Sequence, residues 1–140
     1  MAVSPADRVD EERSVKTIKT AEAEGPVLDW LAAKCEDFRD DFAIIRVWNN
    51  RVTKIIPGDY ETSEVYTSYS PSADWAQGGP IIEREDISIL RCFGCWRAEK
   101  ENYDHDTEWV GQGPTPLIAA MRCYVARKLG EIVEVPKELK

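Results

Sequence analysis

The segment GPTPLIAAMRCYVARKLG, Gly113 to Gly130, constrains this chain more than any other. Thr115 suits an N-cap, because its hydroxyl can accept from an amide that the first turn leaves unbonded. Pro116 suits the first helical position, where its missing N–H costs nothing. Leu117, Met121, Tyr124, Val125 and Leu129 recur at helical spacing along one broad face. Gly130 stands where a C-terminal cap belongs. The spacing predicts a helix over 116–129, followed by a short extended tail, IVEV. So wide an apolar face must be covered, and the rest of the chain has to supply the cover.

VKTIKT, Val15 to Thr20, alternates as a short strand does. In GPVLDWLAAKCEDF, Leu28, Leu31, Ala32 and Cys35 fall at i, i+3, i+4 and i+7, with Pro26 in the first turn, which predicts a helix. FAIIRVWNNRVTKII places two β-rich runs around Asn49-Asn50, a pair that tolerates the positive φ of a tight hairpin turn, and Pro57-Gly58 ends the second run. Residues 59–79 show no sustained period and read as a long irregular segment, which in a small domain is usually functional or mobile. PIIEREDISILRCF, Pro80 to Phe93, reads as one or two strands broken near Glu85-Asp86, and 97–113 reads mainly as loop. Residues 1–14 are polar, without period, and are expected to form a flexible arm ahead of one domain over 15–140. No βαβ rhythm appears. The expected class is α+β: a small single domain, mostly antiparallel sheet, with about two helices, the last of them C-terminal.

The formal charge is −8, from 26 acids against 18 bases. A protein that grips the phosphate backbone carries a basic excess or stripe, so nucleic acid is not an expected partner. No apolar run approaches the roughly 20 residues of a membrane span, so no membrane association is expected either. The first residues, MAVSPADRVDEERS, lack the basic and apolar regions of a signal peptide, and the four cysteines are accordingly expected to remain thiols in a cytoplasm. Five Trp and five Tyr bring large apolar area from few positions, enough for a packed core.

Candidate chemistry is sparse. Cys92-Phe93-Gly94-Cys95 has the spacing of a metal-ligand pair or a redox pair. Zinc normally takes four ligands, however, and no second pair accompanies it. Asp104-His105-Asp106 has acid/base character, but adjacent loop residues seldom face one target. No nucleophile elbow, phosphate-binding loop, zincin helix or dinucleotide fingerprint is present. No catalytic residue, metal ligand or cofactor is expected.

One stretch is denser. YSPSADWAQGGPIIERE, Tyr69 to Glu85, combines aromatics, paired glycines, prolines and both signs of charge. Gly78-Gly79 lets a ligand approach the backbone closely. Tyr69 and Trp75 offer planar rings, and Asp74, Gln77, Glu83 and Arg84 offer donors and acceptors. Thr115 opens the last helix, whose N-terminus favours an anion, and Arg122 stands two turns further on. If the two turns met, they would form a pocket for a nucleotide-like molecule. Composition supports equally well a second reading, in which Trp75 is a core residue and the glycines only admit a strand.

VKTIKTAEAEGPVLDWLAAKCE, YSPSADWAQGGPIIERE and GPTPLIAAMRCYVARKLGEIVEVP together resemble the NinX-like family of phage proteins, small proteins of the nin region of lambda-like phages and related prophages. The three blocks stand in the family's order and cover much of residues 15–136, while 86–110 match loosely. The resemblance implies a phage or prophage origin and residence in the bacterial cytoplasm. It implies no catalytic residue. The expected function is an accessory protein that binds a nucleotide-like small molecule without transforming it and so acts on host physiology or defence. The alternative is a module that binds and modulates a host protein, with homo-oligomerisation left open.

Overall fold

A computed structural model describes residues 15–38, 42–60, 63–101 and 108–140. In chain order the elements are β1 (Val15–Lys19), a 3-10 turn (Thr20–Glu22), α1 (Gly25–Cys35), β2 (Ile44–Trp48), β3 (Arg51–Pro57), β4 (Glu64–Ser68), α2 (Trp75–Arg84), β5 (Ser88–Cys92), β6 (Cys95–Glu101), β7 (Glu108–Gly113), α3 (Pro116–Leu129) and β8 (Ile132–Pro136). The fold is α+β. Three α-helices stand among the described residues where about two were expected. The described strands form not one sheet but three antiparallel ones, ordered β1-β8, β2-β3-β4 and β5-β6-β7. The arm expected over 1–14 lies outside the described residues, as does Asp104-His105-Asp106.

The last helix forms where the sequence puts it. Thr115 Oγ1 accepts the Ile118 amide at 3.1 Å, Pro116 takes the first turn, and Gly130, at φ +96°, returns its amide to Ala126 O. The helix is covered more widely than its large residues suggested. Ala119, Ala120 and Cys123 are as fully buried as Met121 and Val125, whereas Leu129 is exposed. The reason lies in β7. A Cβ on Gly111 would stand 2.2 Å from Ala119 O, and one on Gly113 would stand 2.7 Å from Ile118 Cγ2. The missing side chains let the strand lie close on α3, Gly111 against its backbone and Gly113 against Ile118. Ala98, opposite Gly111 in the ladder, continues this shallow wall and is wholly buried. Within 97–113, read as loop for its polarity, residues 97–101 and 108–113 therefore belong to β6 and β7, held by their pairing and by contact with α3.

On the other side of α3 lies α1, with Leu28, Leu31 and Ala32 fully buried. Its Asp29 is also buried and accepts the Ser72 amide at 2.8 Å, which ties the turn before α2 to this helix. The β2–β3 hairpin turns on Asn49 and Asn50, both at positive φ, with Val47 opposite Val52. β1 and β8 pair from Val15↔Pro136 to Lys19↔Ile132, and Val133 and Val135 point into the core.

The largest departure from the sequence reading is α2. WAQGGPIIER, whose second half reads as strand, is helical through Gly78-Gly79-Pro80. Asp74 Oδ1 caps it by accepting the Ala76 amide at 2.9 Å. Pro80 removes one helical hydrogen bond, to a carbonyl of the exposed Ala76, where water can replace it. The cost is offset on the other face, where Ile81 is buried and Gly78 lets the helix meet Pro71 and Leu117. The break at Glu85-Asp86 is present, with Asp86 at φ +54°. The segment read as irregular over 59–79 holds β4 and the start of α2.

Candidate functional site

Four of the ten residues expected to make one pocket hold the fold itself together. Asp74 and Thr115 are helix caps. Gln77 is a clamp: its carbonyl accepts the Ser70 amide and its amide donates to Ser68 O, both at 2.7 Å. Gly78 is a packing glycine whose amide bonds Asp74 O at 2.8 Å and whose missing Cβ would meet Leu117 Cδ2 at 2.6 Å. Gly78 of α2 thus meets Leu117, in the first turn of α3, as a closed contact. Trp75 is neither in the core nor on a cavity wall: it opens α2 at 55% exposure. Glu83 is exposed on the same helix, and Gly79 has open space where a side chain would go.

Tyr69, Gln77 and Arg84 come together on a cavity of about 440 Å³ that Phe38 and Lys54 also line. Tyr69 is buried edge-on against Phe38, ring centroids 5.7 Å apart, and its buried hydroxyl has no hydrogen-bond partner among the described residues. Burial, and next to it the charge of Glu36, push that phenol well above its usual range. Arg84 is saturated. Its guanidinium bonds Glu36 at 3.0 Å, Glu85 at 2.9 Å and the Tyr124 hydroxyl at 3.2 Å. The hydrogen bond to Glu36 is the main cause that holds its pKa above the ordinary arginine value. Glu85 gathers Arg84, Arg127 and Lys128. Burial raises its pKa, but the Arg84 hydrogen bond and the three cations outweigh burial and lower it. Arg84's positive charge is therefore already balanced within the protein.

Arg122 is placed differently. It lies on a larger groove of about 930 Å³, between the ends of β1 and β8, the strand β7 and the outer side of α3, with Lys19, Thr20, Val110, Ala126 and Ile132 among its walls. Its Nε donates to Ala23 O at 2.8 Å and its Nη1 to Gln112 O at 2.7 Å, so one side chain joins two walls of the groove. Thr20 fixes the third wall, donating its amide to Glu131 O at 2.8 Å and its hydroxyl to Gly130 O at 2.6 Å. The Arg122 side chain is only 12% exposed, and its one ion pair among the described residues is a 4.0 Å approach to Glu24, which is 72% exposed. Burial, against a smaller pull from Glu24, lowers its pKa from the usual arginine value. The groove thus contains a sheltered cation bonded to neutral carbonyls and only loosely compensated. Such a cation favours an anionic partner.

Of the walls, only Arg122 was legible in the sequence as a site residue. Lys19, Thr20 and Ile132 reach the groove because β1 pairs with β8 across most of the chain, and no local pattern announces that pairing. Among the described residues, no cluster of three His, Cys, Asp or Glu side chains could hold a metal. No helix among them is long and apolar enough to cross a membrane.

Three short antiparallel sheets around a central capped helix, with the Arg122 groove beside it, define a small α+β protein among the described residues. The chain belongs to a bacteriophage protein family: the family model described as Bacteriophage P22, NinX matches residues 19–128. No curated protein matches the chain.

Proposed function

We propose that this phage protein binds a small anionic, nucleotide-like molecule in the groove beside Arg122 and does not transform it. The observation that carries the reading is the state of Arg122: 12% exposed, its nearest ion-pair partner 4.0 Å away on a mobile-length, solvent-exposed side chain. Lys19 on the rim supplies a second cation. Val110, Ala126 and Ile132 supply apolar wall for a planar ring. The volume lies within the range of roughly 300–1,000 Å³ typical of small-ligand sites. Sequestering or sensing a nucleotide is the activity such a site supports, which fits a protein that alters host physiology or defence.

Thermal-shift and native mass spectrometric screening against nucleotides and cyclic dinucleotides tests this directly. At least one should bind and stabilise the chain, Arg122→Gln should abolish the effect, and Lys19→Ala should weaken it. If no member of the panel binds, the reading is wrong.

A second reading, a module that binds a host protein, draws on a different surface. By register, Ile44, Trp48 and Tyr66 share one face of the β2-β3-β4 sheet, and they are 53%, 78% and 61% exposed. Exposed aromatic and aliphatic groups gathered on one face suit a protein interface. Recovery of one stoichiometric partner from bacterial lysate, lost on Trp48→Ser, would favour it.

A further inference from the structure

The β5–β6 hairpin turns on Cys92-Phe93-Gly94-Cys95, and its two cysteines stand directly opposite each other in the ladder. Opposed residues of an antiparallel pair are about 4.5–5.5 Å apart at Cα and share a face of the sheet. A disulfide spans about 4.4–6.8 Å between Cα atoms, so this pair can be bridged without moving a strand. Both residues are thiols and both are partly exposed. The Cys95 thiol donates to the Cys92 carbonyl at 3.1 Å, which holds its sulfur over the turn on Cys92's side. The remaining cysteines contrast with them. Cys123 is fully buried, and burial pushes the Cys35 thiol up to about 12.

The turn between the pair is itself strained. Phe93 has φ +47° and Gly94 φ +85°. A two-residue turn of this kind requires positive φ at both positions, which glycine adopts freely and a bulky side chain does not. The Phe93 side chain is wholly exposed, so packing does not offset the strain. A covalent tie between the flanking residues would hold such a turn closed.

We propose that Cys92 and Cys95 are a redox modification site, a dithiol that a small-molecule disulfide oxidises to a disulfide within the hairpin. One cysteine, as its thiolate, attacks a sulfur of the small disulfide and expels one thiolate. The second cysteine, deprotonated in turn, attacks the protein sulfur of the mixed disulfide and expels the other. One S–S bond breaks and one forms; the protein loses two electrons and two protons, and the co-reactant leaves as two thiols. The site stands independently of what the neighbouring groove binds. Cys95 also lines that groove, so oxidation would alter one of its walls.

The test treats the full chain with oxidised glutathione, quenches in acid, and reads intact mass and a peptide map. The expected product has lost two hydrogens, carries a single Cys92–Cys95 crosslink and returns to the dithiol with dithiothreitol. Cys92→Ser and Cys95→Ser, checked as folded by circular dichroism, should each stop at a stable mixed disulfide, with wild type carrying about tenfold less adduct at the same glutathione. Persistent glutathione adducts on wild type, a bridge to Cys35, Cys123 or a second copy, or no reaction at concentrations where a serine variant is modified would each overturn the proposal.

Discussion

Asp29 Oδ1 accepts the backbone amide of Ser72 at 2.8 Å, across 43 residues of chain and inside the protein. This bond anchors the turn that launches α2 to a helix already buried in the core. Burial raises the Asp29 pKa above its ordinary value, against the opposing effect of the Ser72 hydrogen bonds. A carboxyl with a raised folded pKa is deprotonated in the unfolded chain first. Its contribution to stability is therefore present below the unfolded value and lost as pH rises through the folded one. Asp29→Asn keeps an acceptor for Ser72 and cannot ionise. Its melting temperature should lack this decline as pH rises above the ordinary aspartate value of 3.8, measured as the difference from wild type. Asp29→Ala should instead cost about 1–3 kcal/mol by stranding the amide.

The glycines separate by position. Gly111→Ala would drive a Cβ to within 2.2 Å of Ala119 O and 2.5 Å of Cys123 N, both backbone atoms that cannot move alone. The β7–α3 contact would have to open, and urea melts should show a loss of several kcal/mol or no folded protein. Gly79→Ala meets nothing within 4 Å and lies within α2. Gly79 precedes Pro80, however, and a proline ring disfavours a helical Cβ on the residue before it, so the gain of about 0.5–1 kcal/mol from a less free unfolded chain should be largely cancelled.

Trp75 provides a prediction against its prominence in the sequence. Its side chain is mostly exposed and lies outside the walls of both cavities described above. Trp75→Ala should change stability by no more than about 0.5 kcal/mol, and should leave binding in the Arg122 groove intact. A large loss of either would show that this ring contributes more than its position indicates.

The Thr115 hydroxyl is occupied as a cap, accepting the Ile118 amide. Thr115→Ala should cost about 1 kcal/mol in denaturant melts, and Thr115→Ser should restore most of it.

What could be read from the sequence alone was what neighbouring residues decide together. The caps and apolar spacing of α3, the Asn49-Asn50 hairpin and α1 each depend on hydrogen bonds and contacts within a few positions, so a local pattern carries them. The NinX likeness was legible too, in three stretches of consecutive residues. Tertiary structure decided the rest. WAQGGPIIER became a helix because Asp74 caps it and because Gly78 and Ile81 find cover on elements distant in sequence, which outweighs the penalty of Pro80. Polar residues 97–101 and 108–113 became strands because Gly111 and Gly113 could lie closely on α3. The groove exists because β1 and β8 pair from opposite ends of the described chain and bring Lys19 and Ile132 to Arg122. Local propensities are summed over one turn of chain, whereas burial and register depend on partners that only the folded molecule brings within reach.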